Sequence, residues 1–238
     1  MKNAVKLGIF DIDGTIFRSS LVIELVNGLV SEKVFPQSAK KEMEADYLAW
    51  HNRRGDYETY VNQVVKIYVD NIRGVKETEV DRVVEKILEW QKGRLYRFTR
   101  GLMKKLKEKN YYLLAISGSP HDIVSKFAKY MGFEASFGSV LEVKNGIFTG
   151  GVVNRDSWSN KPKVLKTFLE EHNLHADLFL SIAVGDTDGD IPLLKLVGRP
   201  IAFNPNKALA KYAKARKWRI VVERKDVIYE IKNFSFIK

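Results

Sequence analysis

Short apolar runs alternate with amphipathic stretches along this chain, and several of the runs stop in polar, glycine-containing turns. The first run covers residues 7–10, the second covers residues 111–116 and the third covers residues 178–184. Uninterrupted apolar runs of this length are typical of strands that are buried on both faces of a parallel sheet. The pattern therefore predicts an α/β fold in which helices cover a parallel sheet.

Residues 19–90 replace this alternation with a purely helical pattern. Apolar side chains recur there at intervals of three and four, and a separate helix is predicted over residues 77–90. We therefore expect a helical insertion, residues 18–96, in a core formed by residues 1–17 and 97–238. The aromatic side chains of the insertion have the spacing of one helix face, so they are predicted to form its own core. They are Tyr47, Trp50, Tyr57, Tyr60 and Tyr68.

Helices and strands alternate after the insertion. Asn145-Gly146 lies in the middle of an alternating stretch, residues 137–153, and this dipeptide is a strong signal for a β-hairpin. The further predicted strands cover residues 200–203 and 219–222. The predicted helices cover residues 101–109, 121–131, 161–172, 191–196 and 207–214, and a last helix begins at Asp226.

Polar side chains follow three of the predicted strands. Asp11 and Asp13 follow the first strand, Ser117 follows the second, and the acidic segment Gly185–Asp190 follows the third. Because parallel strands end at one edge of a sheet, we expect these groups to converge. Carboxylates this close require either a hard metal ion between them or a shared proton, and their oxygens suit Mg²⁺. Lys161, at the start of its predicted helix, would add a cation to these carboxylates and the Ser117 hydroxyl. Together these groups can position a phosphoryl group and neutralise its charge during transfer.

Composition narrows the function classes. The absence of cysteine excludes disulfides, thiolate catalysis and Cys-ligated metals, and it fits a cytoplasmic protein. The apolar run before Asp11 is too short for a signal peptide or a membrane span, so no membrane partner is expected. The 40 Lys and Arg against 29 Asp and Glu give a net charge of +11, which suits anionic ligands. Because the lysines are spread along helical faces, we expect a solvated basic surface in preference to a nucleic-acid site.

The polar segments match, in order and approximate spacing, the four motifs of the haloacid dehalogenase (HAD) superfamily. They are Asp11-Ile12-Asp13-Gly14-Thr15, Ser117 after an apolar strand, Lys161, and Gly185-Asp186 with Asp190. The insertion directly after the first motif resembles the phosphoserine phosphatase-like branch, subfamily IB. This resemblance implies a Rossmann-like parallel sheet flanked by helices, with the insertion as a helical cap domain. It also implies a Mg²⁺-dependent phosphatase that acts on a small phosphorylated metabolite.

The resemblance assigns a role to each motif residue. Asp11 is implied to be the nucleophile that forms an aspartyl-phosphate, and Asp13 is implied to be the general acid and base. Ser117, the Gly118 amide and Lys161 are implied to bind the phosphoryl group. The implied Mg²⁺ ligands are Asp11, the main-chain carbonyl of Asp13, and Asp186. Asp190 is implied to assist them, either as a further ligand or by hydrogen bonds that hold the ligands in place. Asp188 is expected to be a solvated loop residue.

The cap departs from the phosphoserine phosphatase pattern. Ser20 stands where that family has an acidic residue that meets the substrate amino group. The cap arginine expected to meet the substrate carboxylate has no counterpart, and Asn62 or Val64 lies near that position. Ser20, Asn62 and Ser119 are the candidates for substrate specificity, and free phosphoserine is not expected to be the main substrate.

The same residues are compatible with other functions. A phosphotransferase that uses the same aspartyl-phosphate remains an alternative, as does a non-catalytic protein that binds nucleic acid or another anion through its basic surface. A calcium loop of the EF-hand type is excluded because its twelfth position requires glutamate. Val22 and Val197 stand at that position in the two acidic stretches.

Overall fold

A computed structural model describes residues 4–235 of the chain, and its strands and helices alternate except in one long helical stretch. The strands are β1 Leu7–Phe10, β2 Tyr112–Pro120, β3 Ala135–Lys144, β4 Ile147–Asn154, β5 Ile182–Gly185, β6 Arg199–Phe203, β7 Arg219–Arg224 and β8 Val227–Ile231. The helices are α1 Leu21–Ser31, α2 Gln37–His51, α3 Tyr57–Ile72, α4 Glu77–Gln91, α5 Arg97–Glu108, α6 His121–Met131, α7 Asp156–Ser159, α8 Lys161–Glu171, α9 Ile191–Leu194 and α10 Lys207–Ala215. Among the helices of residues 4–235, none has both the length and the apolar character needed to cross a membrane.

Within the described residues, the strands form one eight-stranded sheet in the order β4-β3-β2-β1-β5-β6-β7-β8. β1 lies near the centre and pairs in parallel with both β2 and β5, so that Phe10 is opposite Ala115 on one side and Val184 on the other. Only the outer strands β4 and β8 are antiparallel to their neighbours. The predicted α/β fold with a Rossmann-like parallel sheet is confirmed.

Apolar side chains cover both faces of the sheet. Along β2, Leu113 and Ala115 belong to one hydrophobic cluster while Leu114 and Ile116 belong to a second, as the two-residue period of a strand requires. The first cluster continues into α5, α6 and the helices α1–α4, and the second continues into α8, α9 and α10. The sheet is therefore the middle layer of three.

The helices α1–α4 occupy the stretch in which the sequence pattern is purely helical. The chain leaves the sheet and returns to it through two adjacent segments, 16–18 and 94–96. Arg18 N–H donates to the carbonyl of Arg94 at 2.9 Å, and Tyr96 N–H donates to the carbonyl of Ile16 at 3.0 Å. Two hydrogen-bonded, antiparallel connections thus link the helical insertion to the sheet.

The predicted helix from Asp226 is wrong over residues 227–231, which form the antiparallel strand β8. Its sequence, Val-Ile-Tyr-Glu-Ile, is rich in β-branched and aromatic side chains that suit a strand. Arg224 pairs with Val227 across a two-residue turn, and Lys225 in that turn has a φ of 54°. In this hairpin, β8 satisfies the backbone hydrogen-bonding groups along the free edge of β7. This pairing outweighs the helical periodicity of the local sequence.

Two strand boundaries also differ from the prediction. The strand predicted over 178–184 begins only at Ile182, because Asp177 accepts a hydrogen bond from Leu180 N–H at 2.9 Å and holds a turn. The strand predicted to break at Ser117 continues to Pro120 as β2, with an irregular register against β3 after Ile116. Ser117 nevertheless lies in the carboxyl-terminal part of β2.

Candidate active site

The polar strand ends meet at one edge of the sheet. β1 and β5 are parallel neighbours, so Asp11 and Asp186 follow their strands on the same side. β2 pairs with the other side of β1 and brings Ser117 to the same edge. Lys161 is the first residue of α8, whose preceding Asn160 accepts a hydrogen bond from Lys163 N–H. Four separate segments of sequence thus contribute to one site.

Lys161 is the cation at the centre of the site. Its Nζ lies 2.6 Å from Oδ1 of Asp11 and 2.6 Å from Oδ1 of Asp190, and all three residues are buried. Burial opposes the charge of Lys161, but the two carboxylates outweigh burial and raise its pKa. The lysine therefore stays protonated and holds both carboxylates in place.

Asp11, Asp186 and Asp190 form an acidic cluster that can hold a metal ion. Among the described residues, one carboxylate oxygen from each of the three lies within 4.8 Å of the others. Burial raises the pKa of Asp11 to about 7; Lys161 opposes this rise, and Asp190 and Asp13 add to it. Burial and the charges of Asp11 and Asp190 raise the pKa of Asp186 well above its usual range. One lysine does not neutralise the cluster, and a hard cation with oxygen ligands fits this donor set.

Asp190 pairs with Lys161 and also holds the acidic loop, residues 185–190, in place. Its Oδ2 accepts hydrogen bonds from the backbone N–H groups of Asp186 at 3.0 Å and Thr187 at 3.1 Å. Asp188 in the same loop is exposed and accepts a hydrogen bond from the side-chain amide of Asn206 at 2.6 Å. Asp190 is thus a structural member of the cluster, while Asp188 stays outside it.

Asp13 lies between the end of β2 and the start of α1. Its Oδ1 accepts a hydrogen bond from Leu21 N–H at 2.5 Å. Its Oδ2 accepts from the hydroxyls of Ser117 at 2.5 Å and Ser119 at 3.0 Å. The Ser119 hydroxyl also accepts from Val22 N–H at 3.1 Å. The two neighbouring aspartates of the first motif therefore have separate partners: a lysine for Asp11, and hydroxyls and a helix N-terminus for Asp13.

Gly14 allows the first motif to approach Asp186. Its φ is 74°, in the left-handed region that favours glycine, and a Cβ at this position would overlap the carboxylate of Asp186. Thr15, the next residue, donates a hydrogen bond from Oγ1 to Oδ1 of Asp186 at 3.1 Å. The turn after β1 thus sets the position of a carboxylate that belongs to β5.

The remaining candidates from the sequence occupy different surroundings. Gly118 packs beside Trp158 of α7, since a Cβ on Gly118 would lie 2.8 Å from Cδ1 of that indole. Ser20 is buried just before α1, and Asn62 is exposed on α3. Neither Ser20 nor Asn62 lines the cavity next to the acidic cluster. Ser119 is buried, and its hydroxyl contacts the site through the carboxylate of Asp13.

A cavity of about 880 Å³ adjoins the acidic cluster and separates it from part of the helical insertion. Its wall includes Gly14 and Asp186 from the core and four aromatic residues from α2 and α3. These four, Tyr47, Trp50, Tyr57 and Tyr60, are named the aromatic cluster. The prediction that these side chains form the core of the insertion is wrong for Tyr47 and Tyr57, which are 39% and 36% exposed. On α2, Met43 is buried and also lines the cavity, and Tyr47 and Trp50 continue the cavity wall over the next two turns.

The order of the strands and the buried carboxylate–lysine cluster define a Rossmann-like α/β core with a charged site at the carboxyl edge of its sheet. A profile of haloacid dehalogenase-like hydrolases matches residues 9–195, which is most of the chain. The chain therefore belongs to the haloacid dehalogenase-like hydrolase family, and the family resemblance of its four motifs is confirmed.

Named relatives include phosphoserine phosphatases. The chain is 23% identical to the phosphoserine phosphatase of Methanocaldococcus jannaschii over 95% of its own length and 96% of that protein. It is 28% identical to a phosphoserine phosphatase of Mycobacterium tuberculosis, over 51% of this chain and 39% of that protein. The chain thus matches about two fifths of the mycobacterial relative. A protein of unknown function from Bordetella pertussis Tohama I shares the fold with a TM-score of 0.75 at 19% identity, over 92% of this chain and 98% of that one.

Proposed function

We propose that this chain is a Mg²⁺-dependent phosphomonoester hydrolase that acts on a small phosphorylated metabolite through an aspartyl-phosphate on Asp11. The observation that carries the proposal is the buried cluster of Asp11, Lys161, Asp190 and Asp186 at the carboxyl edge of the sheet. Relatives named phosphoserine phosphatase support the same class of reaction. A cytoplasmic location is part of the proposal.

The donor set fits Mg²⁺. Asp11 and Asp186 would hold the ion with the main-chain carbonyl of Asp13, and Asp190 would support them through its bonds to the acidic loop. When bound, the ion neutralises charge on the carboxylates and on the phosphoryl oxygens. Burial and the neighbouring carboxylates raise the pKa values of Asp11 and Asp186, and a bound cation would offset this effect by favouring their ionised forms.

In the first half-reaction, a carboxylate oxygen of Asp11 attacks phosphorus and the bond from phosphorus to the leaving oxygen breaks. Asp13, in its protonated form, gives a proton to that oxygen, and the alcohol leaves. In the second half-reaction, Asp13 takes a proton from water as the water oxygen attacks the phosphorus of the aspartyl-phosphate. The bond between phosphorus and the Asp11 oxygen breaks, which releases inorganic phosphate and restores both aspartates.

Three further groups would hold the phosphoryl oxygens. The Ser117 hydroxyl already donates to a carboxyl oxygen of Asp13, and a phosphoryl oxygen offers it a second acceptor. The Gly118 amide and the Lys161 ammonium complete the set. Lys161 would neutralise both the nucleophile and the transferring group, because its position against Asp11 is fixed by burial.

The helical segment, residues 18–96, is proposed to be a cap that covers the site during attack. Its two adjacent connections to the sheet and the cavity between its helices and Asp186 support this role. Residues 1–17 and 97–238 would then form the catalytic core. Specificity would come from side chains of the cap that line the cavity.

Substitution of Asp11 tests the proposal. Release of inorganic phosphate from a panel of phosphorylated metabolites is measured with Mg²⁺ and with EDTA. We expect turnover with Mg²⁺ alone, and its loss in Asp11→Asn. Asp188→Asn is the matched control, because Asp188 is exposed and lies outside the acidic cluster. Full activity of Asp11→Asn, or turnover that EDTA leaves unchanged, would refute the mechanism.

A further inference from the structure

The aromatic cluster is a connected set of rings at the cavity wall. The ring centroids of Trp50 and Tyr57 are 5.1 Å apart, and those of Trp50 and Tyr60 are 5.9 Å apart with an angle of 9° between the planes. The rings of Tyr47 and Tyr60 pack edge to face with their centroids 5.6 Å apart. Because each ring is supported by another ring, the cluster presents a preorganised aromatic surface.

This surface lies close to the proposed reacting groups. Asp186 and Tyr57 belong to the wall of the same cavity. Asp186 also belongs to the acidic cluster, in which its carboxylate oxygen lies within 4.8 Å of one from Asp11. A leaving group attached to a phosphoryl group at Asp11 would therefore extend towards the aromatic cluster.

The charges around the cavity limit what the aromatic surface can receive. Apart from Asp186, the charged side chains in its wall are four cations and two carboxylates. They are Arg18, Lys40, Lys41, Arg94, Glu24 and Glu44. Glu24 is paired with Arg94 at 2.8 Å, which leaves three cations and one carboxylate. A cationic leaving group would be repelled by this wall, although aromatic rings alone attract cations.

We propose that the aromatic cluster is a leaving-group subsite for phosphomonoesters whose alcohol carries a planar aromatic ring that is neutral or anionic. The inference rests on the proposed phosphomonoesterase function and specifies its substrate class. A planar ring stacks on the faces or edges of Trp50 and Tyr57, and a saturated ring of similar size gains only the burial of apolar surface. The contrast between the two kinds of ring isolates the role of the cluster.

Benzyl phosphate and cyclohexylmethyl phosphate provide a matched pair of substrates. Their leaving alcohols are similar in size and acidity, so a difference in kcat/KM reports recognition of the ring. With Mg²⁺ present, we expect benzyl phosphate to be favoured by about fivefold. Equal values, or a preference for cyclohexylmethyl phosphate, would overturn the inference. A higher kcat/KM for phosphocholine than for benzyl phosphate would also overturn it, because it would assign the rings to a cation.

Variants locate the preference on the aromatic cluster. Trp50→Leu and Tyr57→Leu are each expected to reduce the ratio between the two substrates towards one. Tyr57 is partly exposed at the start of α3, so Tyr57→Leu provides a folded variant if the half-buried Trp50 is needed for packing. Trp90→Leu is the control, because Trp90 is 83% exposed on α4 and does not line the cavity. A ratio that persists in both folded cluster variants would overturn the assignment.

Binding separates a failure of the subsite from a failure of the proposed function. The affinities of benzylphosphonate and cyclohexylmethylphosphonate are measured by calorimetry with Mg²⁺, without any need for turnover. Tighter binding of benzylphosphonate that is lost in Tyr57→Leu supports the subsite even if no ester is hydrolysed, and the phosphatase proposal alone then fails. Equal affinities together with hydrolysis of both esters leave the phosphatase intact and refute the subsite.

Discussion

The hydroxyl of Ser119 donates a hydrogen bond to Oδ2 of Asp13 at 3.0 Å while it accepts one from the first turn of α1. A single buried side chain therefore joins the end of β2, the proposed acid and base, and the helical insertion. The residue was a specificity candidate on sequence grounds, and its contacts instead support a role in positioning Asp13.

Ser119→Ala should lower kcat more than it changes KM. The change removes one hydrogen bond to Asp13 and leaves Val22 N–H without its acceptor, at a cost of about 1–3 kcal/mol in the free energy of unfolding. Steady-state kinetics and urea unfolding measure the two effects. Ser125→Ala on α6 is the control, because Ser125 bonds only its own helix through the Asp122 carbonyl. A variant that changes KM alone would contradict a positioning role.

Lys161→Met should destabilise the metal-free protein by about 3–5 kcal/mol, because two buried carboxylates lose their ion-pair partner. It should also abolish phosphate release. Urea unfolding in EDTA measures the first effect. Lys163→Met on the same helix removes a largely exposed ion pair with Asp156 and should cost about 0–1 kcal/mol. Equal costs for the two variants would show that the buried pairs contribute no more than a surface pair.

Gly14→Ala should weaken the stabilisation of the protein by Mg²⁺, because the new Cβ displaces the Asp186 carboxylate. Gly146→Ala is a close control for backbone strain. Gly146 has a φ of 72°, nearly that of Gly14, and open space around a Cβ. Each change forces alanine into the left-handed region at a cost of about 1–2 kcal/mol. Thermal unfolding with and without Mg²⁺ should show a reduced magnesium effect for Gly14→Ala alone, and an unchanged effect would contradict the contact.

The stability of the metal-free protein should fall as the pH rises towards neutrality. Burial raises the pKa of Asp11 to about 7, so the folded state binds more protons than the unfolded state between about pH 4 and about pH 7. The free energy of unfolding in EDTA therefore decreases across this window. Mg²⁺ binds the deprotonated carboxylates, so the increase in Tm that it produces should grow over the same window.

Thermal unfolding at about pH 5 and about pH 7.5, in EDTA and in Mg²⁺, measures both trends. Asp11→Asn removes the contribution of this carboxyl and should reduce the dependence on pH in EDTA, while the raised pKa of Asp186 maintains part of it. A magnesium effect of equal size at both pH values would be inconsistent with a buried carboxylate that exchanges its proton for the metal.

Much of the fold follows from local pattern. The apolar runs before Asp11 and at residues 111–116 predict central parallel strands, and the predicted helix over 121–131 has the observed bounds of α6. The local pattern does not predict the strand at 227–231, because its formation depends on pairing with β7, a partner that helical periodicity does not reveal. The shortened strand β5 depends on a turn held by Asp177, a side-chain contact that an apolar run does not show.

The sequence by itself determined the chemistry that can meet at the sheet edge, because carboxylates, a hydroxyl and a lysine follow strands or begin a helix at identifiable positions. Tertiary structure decided which of these groups contact one another. Lys161 pairs with Asp11 and Asp190, while Ser117 and Ser119 bind Asp13, since only the packed sheet and α8 set distances between residues far apart in the chain. Tertiary structure also decided that the aromatic side chains of α2, Tyr47 and Trp50, line a cavity. The spacing of side chains defines a face, but the neighbouring element determines whether that face is buried or open to a ligand.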